Sequence, residues 1–91
     1  MPTTTLRQTH MATRTYSNLI TSIPGAAGKP GFVKHLGGAD VEIIFGGAGQ
    51  PGDSVRGTIL RAGGEEWCEA ANIWPRCPHG GTAILGFTVV E

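Results

Sequence analysis

The sequence lacks several features that would place it in a broad class of protein. No apolar run approaches the roughly 18 residues that a membrane span needs, and the first 18 residues lack the continuous apolar stretch of a signal peptide. Leu, Ile, Val and Phe supply only 20 of the 91 residues, but the net charge is zero, whereas disordered chains usually combine low hydrophobicity with high net charge. We therefore expect one folded domain with a thin core and no membrane partner.

Acidic residues are missing from the first part of the chain. None occurs before Asp40, so residues 1–39 carry a charge of +4 and residues 40–91 a charge of −4. Four cations spread over 39 residues, without a Lys/Arg cluster, do not predict nucleic-acid binding. A basic segment ahead of an acidic body favours an acidic partner instead, including a neighbouring copy of the chain. The alternative is that the basic segment is simply solvated.

Motifs that would indicate catalysis are missing as well. Gly28-Lys29 is similar to the end of a phosphate-binding loop, but the Walker spacing fails at positions 23 and 30. The carboxylates of Glu65 and Glu66 lie in a predicted turn, which offers too little burial to raise a pKa for acid–base catalysis. We expect no enzyme activity and no cofactor.

The chain has only two cysteines, and their redox state stays open. Cys68, Cys77, His35 and His79 are zinc-ligand types, but no C-x₂-C pair exists, and we expect no metal site. Cys77 with either histidine has the residue types of a nucleophile and base, yet no local catalytic signature accompanies it. A disulfide between the two cysteines requires a reversing loop, which spacing does not test. Two free thiols are the default.

Glycine and proline together occupy 21 of the 91 positions and divide the chain into short elements. Residues 41–45 place Val41, Ile43 and Phe45 on one face of a strand, and residues 54–60 are a second strand with Val55 and Ile59 predicted to point inward. Residues 82–90 are apolar on both faces, which indicates a central strand or one covered on both sides. The sequence therefore predicts a mainly β fold of short strands with glycine-rich loops.

One segment leaves the choice between strand and helix open. Residues 62–65 predict a hairpin turn, and residues 67–74 fit either a strand or a short helix. A small β-rich α+β domain is therefore the alternative to the mainly β fold. In both versions residues 23–91 form a single domain, in which Trp67 and Trp74 are the large apolar anchors of a core or an interface.

The first 22 residues differ from the rest because they hold seven of the ten threonines. Residues 13–19 are rich in β-favouring types but have no apolar face wide enough to fold alone. We expect residues 1–22 to be an extended arm, which becomes a strand where a partner offers a free sheet edge. Met1 and Met11 are both candidate starts of the mature chain.

Residues 55–91 combine three features in a fixed order. A Val-x-Gly-x-Ile-Leu segment begins at Val55, a strand then reaches Asn72-Ile73-Trp74-Pro75, and after a loop the chain ends in the β-rich residues 81–90. This order resembles the head decoration proteins of lambda-type tailed bacteriophages. The resemblance implies a non-enzymatic virion protein on the capsid exterior, which binds and stabilises the lattice of major capsid protein as a homo-oligomer, in that family a trimer.

The resemblance also implies which residues contact a partner. The arm would add a strand to the coat lattice through residues 13–19, and residues 73–75 would lie where subunits pack. The two arginines of the arm would dock on acidic capsid surface. The predicted partner-binding residues are Arg7, Arg14, Thr13, Thr15, Tyr16, Leu19, Ile73, Trp74 and Pro75.

Two other functions fit the sequence. A small phage-encoded regulatory or inhibitory protein, binding a host complex, would use the acidic body. A metal-stabilised spike-tip domain of a secretion or tail apparatus is indicated by Cys77-Pro78-His79-Gly80-Gly81, although the Pro-Ala-Ala-Arg repeat of that family is absent. A chain that sediments as a monomer and binds a host enzyme without capsid would favour the regulatory protein. Stoichiometric zinc in the purified protein would favour the spike-tip domain.

Overall fold

The computed structural model describes residues 2–91, and within them it contains eight strands and two short helical turns. In chain order the elements are β1 (Thr3–Thr5), β2 (His10–Ala12), α1 (Leu19–Ser22), a 3-10 turn (Pro24–Ala26), β3 (Gly31–Gly38), β4 (Val41–Phe45), β5 (Thr58–Leu60), β6 (Glu65–Cys68), β7 (Ile73–Arg76) and β8 (Ala83–Val90). The mainly β fold predicted from the sequence is confirmed.

The strands form two antiparallel sheets. The large sheet has the order β6-β3-β8, and the far side of β8 is shared by β1, with Thr3 opposite Val90, and β2, with His10 opposite Leu85. The small sheet has the order β5-β4-β7. Because β8 is paired along both sides, the prediction of a central strand over residues 82–90 is confirmed.

Both sheets and the helical segment contribute to one hydrophobic core. Alternate side chains of β3 and β8 point into it from the large sheet, and alternate side chains of β4, β5 and β7 point into it from the small sheet. The largest fully buried apolar residues of this core include Leu19, Ile23, Val33, Val41, Ile43, Ile73, Leu85 and Phe87. One continuous core on two sheets makes the chain a single folding unit.

The segment up to residue 22 is part of that unit, which corrects the separate arm expected from the sequence. β1 and β2 pair with β8 of the same chain, and the chain then crosses to the small sheet. There the Ser17 N–H donates to the Pro75 carbonyl at 3.2 Å, and the Cys77 N–H donates to the Thr13 carbonyl at 2.6 Å. The physical reason is that β8 offers a free edge within the same chain, so no second molecule is needed. Met1 lies outside the described residues.

The strand predicted over residues 54–60 is shorter in the structure, and its side chains face the opposite way from the prediction. Only Thr58–Leu60 forms a strand, Val55 and Ile59 are exposed, and Leu60 points inward opposite Val41. The reason is that the residues before β5 belong to a loop, whose carbonyl groups accept hydrogen bonds from buried side chains.

The segment around residues 62–74 also differs from expectation. The turn at residues 62–65 connects β5 to β6, which belong to different sheets, so it does not form a hairpin. Residues 67–74 are neither one strand nor a helix, because β6 ends at Cys68 and β7 begins at Ile73. The poor alternation over these residues reflects this change of sheet.

The glycine-rich loop of residues 46–57 covers the outward face of the small sheet. Gly46 and Gly47 have φ of +87° and +83°, in the left-handed region that favours glycine, and they turn the chain back over the sheet. The indole Nε1 of Trp74 donates to the Gly47 carbonyl at 3.0 Å, and Nη1 of Arg76 donates to the Asp53 carbonyl at 2.9 Å. This loop, and not a second chain, covers Trp74.

Candidate interaction surface

The outward face of the large sheet carries exposed apolar side chains. The register places Met11 opposite Ile84 and Trp67 opposite Phe32, while Leu36 lies over Gly86. Met11, Leu36 and Trp67 are 57%, 58% and 49% exposed, and Phe32 and Ile84 are half-buried. We name this set the apolar stripe; its members are Met11, Phe32, Leu36, Trp67 and Ile84.

Leu36 lies on the outward face of β3, beside a β-bulge. The register with β8 shifts between His35 and Gly37, so Leu36 has no partner residue in that ladder. His35 turns inward, where its Nε2 lies 2.6 Å from the Ala39 carbonyl and its Nδ1 accepts the Gly37 N–H at 3.2 Å. The bulge is therefore held in place by the buried imidazole, and it leaves Leu36 without a strand partner beside it.

The end of the stripe at β6 is ordered by side-chain contacts. Phe32 and Trp67 pack edge to face, with ring centroids 5.3 Å apart and an interplanar angle of 76°. In the next row the Lys34 Nζ lies 3.6 Å from a carboxylate oxygen of Glu65. Lys34 lies between Phe32 and Leu36 on this face of β3, so the salt bridge separates the aromatic end of the stripe from its aliphatic end.

Two residues predicted to contact a partner lie in the interior instead. Tyr16 and Leu19 are at most 1% exposed. Leu19 begins α1, where the side chain of Asn18 caps the helix by accepting the Ile20 N–H at 3.1 Å. The Tyr16 hydroxyl donates to the Val55 carbonyl at 2.6 Å. Their apolar surface is already covered by the chain's own elements.

The predicted subunit contact of β7 is also buried. Ile73 and Pro75 point into the core, while Trp74 points to the other side of the small sheet, under the glycine-rich loop. All three side chains are therefore buried within one chain. Trp74 is an anchor inside the chain, which was one of the two roles predicted for it. A contact with another subunit through β7 would require this loop to move.

The remaining predicted residues are exposed but are not brought together. Arg7 lies in the connection between β1 and β2, whereas Thr13, Arg14 and Thr15 follow β2 and run beside the end of β7. Arg14 and Thr15 line a cleft on the small-sheet side of the molecule. The two arginines therefore serve different surfaces.

Sequence reasoning did not identify a buried ion pair between β4 and β7. The Oε1 atom of Glu42 accepts from Nε and Nη2 of Arg76 at 3.0 and 2.8 Å, and its Oε2 accepts the Gly57 N–H at 3.0 Å. The ring of Tyr16 lies 4.3 Å from the guanidinium carbon. The one indication in the sequence was the carboxylate of Glu42 within an otherwise apolar strand. Its partner Arg76 is 34 residues away in the chain, so the pair could not be identified from local sequence.

The ion pair shifts the ionisation of its members. Burial alone would raise the pKa of Glu42, but the hydrogen bond from Gly57 and those from Arg76 outweigh it, so this pKa is lowered. Burial, together with the negative charge of Glu42, raises the pKa of Tyr16. Glu42 is therefore ionised and Tyr16 neutral near pH 7.

Both cysteines are free and buried. Burial raises the pKa of the Cys68 thiol and of the Cys77 thiol. The Sγ of Cys77 lies 3.5 Å from the Ala12 carbonyl. A reactive cysteine requires the opposite shift and access to solvent, so these thiols have the character of core residues.

Among residues 2–91 no group of three or more His, Cys, Asp or Glu side chains is placed to hold a metal ion. The same residues contain no helix with the length and apolarity to cross a membrane. Comparison of this chain with protein-family models, with curated proteins and with solved structures finds no match.

Proposed function

We propose that the protein is a non-enzymatic structural protein of a bacteriophage virion, which binds the capsid exterior and stabilises its lattice of major capsid protein. The observation that carries the proposal is the apolar stripe on the large sheet. Apolar side chains grouped on one exposed face mark protein interaction sites in soluble proteins, and the stripe has two such groups on either side of the Lys34–Glu65 pair. Trp67 is the natural anchor of such a contact, because tryptophan is enriched among residues that dominate binding energy.

Strand addition to the coat lattice would use the outer edge formed by β1 and β2. Thr3, Thr4 and Thr5 are exposed, and β-branched residues fit a pleated strand. Within residues 2–91 no further strand pairs with this side of β1 or β2. An extended coat segment would bind there through backbone hydrogen bonds while the neighbouring stripe covers its apolar side chains.

The homo-oligomer of this proposal would place the β6 edge, which carries Glu65, Glu66 and Glu69, against a basic surface of a neighbouring copy. Repeated head to tail, such a contact closes into a ring when the rotation permits, and a rotation of about 120° gives a trimer.

The test is binding to capsid shells of the phage that encodes the protein. We expect the purified protein to co-sediment with the shells at one fixed copy number per lattice site. Trp67→Ala should weaken binding by about 30-fold or more, because a dominant interface residue contributes at least about 2 kcal/mol. Its matched control is Ile59→Ala, since Ile59 is 50% exposed but lies on the small sheet.

The results that would contradict the proposal are equally specific. If Trp67→Ala binds shells as the full protein does while Ile59→Ala does not, the stripe is not the docking surface. If the protein sediments as a monomer, fails to bind shells and forms a stoichiometric complex with a purified host enzyme, the regulatory alternative replaces the capsid role.

A further inference from the structure

A second surface, separate from the apolar stripe, is a cleft lined by cationic side chains. Its volume is about 440 Å³, within the range of roughly 300–1,000 Å³ of small-molecule sites. Three segments that are distant in sequence meet there: the chain after β2, the loop before β5 and the connection after β7. The residues that concern ligand binding are Arg14, Thr15, Asp53, Arg56, Arg76 and His79.

Arg76 is the fixed element of this cleft. Its side chain is 6% exposed, and four of the five guanidinium N–H groups donate to Glu42 and to the carbonyl groups of Asp53 and Val55. The ring of Tyr16 lies against the guanidinium. These contacts fix the orientation of Arg76, so its remaining N–H, on Nη1, is available without further ordering of the side chain.

Arg14 and Arg56 supply the positive charge that Glu42 does not neutralise. Both residues are exposed, and among residues 2–91 no carboxylate lies within ion-pair distance of either guanidinium. Glu42 neutralises Arg76, and Asp53 contributes one carboxylate against the positive charges of Arg14 and Arg56. The cleft therefore keeps an excess of positive charge in a chain whose net charge is zero.

We propose that this cleft binds a phosphate group. Guanidinium groups match the geometry of phosphate and carboxylate oxygens, and they bind both in a bidentate manner. The guanidiniums of Arg14 and Arg56, the remaining N–H of Arg76, the Thr15 hydroxyl and the His79 imidazole offer more donors than the two oxygens of a carboxylate accept. A tetrahedral phosphate presents an additional face of oxygens. The donors are confined to one cleft, so the ligand is a single small anion or a small phosphorylated molecule.

This proposal is independent of the capsid role. No residue of the apolar stripe lines the cleft, so a variant that fails in one assay is expected to behave normally in the other.

The experiment is an NMR titration of the full chain with inorganic phosphate, adenosine monophosphate and acetate, with ionic strength held constant by sodium chloride. We expect phosphate and adenosine monophosphate to shift the amides of residues 14–15, 53–56 and 76–79 with saturable curves. Acetate should shift them at least about tenfold more weakly. Tighter binding of the nucleotide assigns a phosphorylated small molecule, and equal affinity assigns the free ion.

Arg14→Gln and Arg56→Gln are the variants, and Arg61→Gln is their control, because Arg61 is an exposed arginine outside the cleft. Each cleft variant should weaken phosphate binding by about tenfold, the loss expected from one hydrogen bond to a charged group. An unchanged affinity in both cleft variants overturns the site. So does an acetate affinity equal to that of phosphate, or an amide spectrum that none of the anions changes.

Discussion

Glu42 and Arg76 form a buried ion pair. Their side chains are 4% and 6% exposed, and the nearest charged atoms are 2.8 Å apart. Replacing Glu42 by Gln preserves the shape of the side chain but leaves a buried guanidinium without a counter-charge. We expect Glu42→Gln to lower the free energy of unfolding by about 3–5 kcal/mol, as measured by urea denaturation.

The matched control is Glu65→Gln. Glu65 lies 3.6 Å from the Lys34 ammonium, but both side chains are about half exposed, and such surface pairs contribute about 0–1 kcal/mol. Equal losses in the two variants would show that burial does not strengthen the Glu42 contact. Since the folded-state pKa of Glu42 lies below its ordinary value of 4.5, its stabilisation is complete above that pH and is lost as the pH falls through the lowered pKa.

His10 is buried between two hydroxyl groups that join β2 to the helical segment. Its Nδ1 lies 2.8 Å from the Ser22 Oγ, and its Nε2 lies 2.8 Å from the Ser17 Oγ. Burial lowers its pKa below the ordinary value of 6.5. Between the lowered pKa and pH 6.5 the unfolded chain binds a proton that the folded chain does not, so stability should fall on acidification by at most about 1.4 kcal/mol per pH unit.

Urea denaturation between pH 7.5 and pH 5 measures this effect. His10→Gln removes the titrating group, so its stability should be lower throughout but flatter with pH. His79→Gln, at an exposed histidine, is the matched substitution for comparison. A slope in His10→Gln as steep as in the unaltered protein would assign the pH dependence to other residues.

At the level of elements, β4 and β8 could be predicted because their patterns are purely local. Val41, Ile43 and Phe45 give residues 41–45 one apolar face, and residues 82–90 are apolar on both faces, which is typical of a covered or central strand. β3 was not predicted, although it pairs with both β6 and β8. Its burial alternates regularly up to Leu36, but the inward positions include Gly31 and His35 while Phe32 and Leu36 point outward, so the residue types show no apolar face.

The candidate surfaces were less predictable than the strands. Trp67 was recognised as an anchor, but the stripe combines side chains from β2, β3, β6 and β8, and only the register places them on one face. Likewise Glu42 and Arg76 meet because β4 and β7 are neighbours. Sequence patterns report which face of a strand is buried, whereas such clusters depend on which strands are adjacent.

For the molecule as a whole, the N-terminal segment connects the two sheets. β1 and β2 complete one edge of the large sheet, while Tyr16 covers Arg76 on the outward face of the small sheet. Nε2 of Gln50 donates to the Tyr16 carbonyl at 2.7 Å, which attaches the glycine-rich loop to the same segment. The stability of the entire domain therefore depends on this N-terminal segment. An independent arm would not stabilise the rest of the chain in this way.

Deleting residues 1–22 should consequently abolish folding of the rest. The deletion removes Tyr16 and Leu19 from the interior, and losing large core side chains costs about 2–5 kcal/mol each, against a total stability of about 5–15 kcal/mol. It also leaves one side of β8 unpaired. We expect collapsed amide dispersion in the ¹H–¹⁵N NMR spectrum and no cooperative urea transition.

The matched control removes residues 1–8 alone, which takes away the exposed β1 strand and leaves β2, Tyr16 and Leu19 in place. This shorter deletion should remain folded with a modest loss of stability, because Leu6 is the only apolar side chain of residues 2–8 that packs on the core. If residues 23–91 unfold cooperatively at the same urea concentration as the full chain, the segment is a detachable arm. Strand addition would then take place through residues 13–19 in place of the outer edge of β1 and β2.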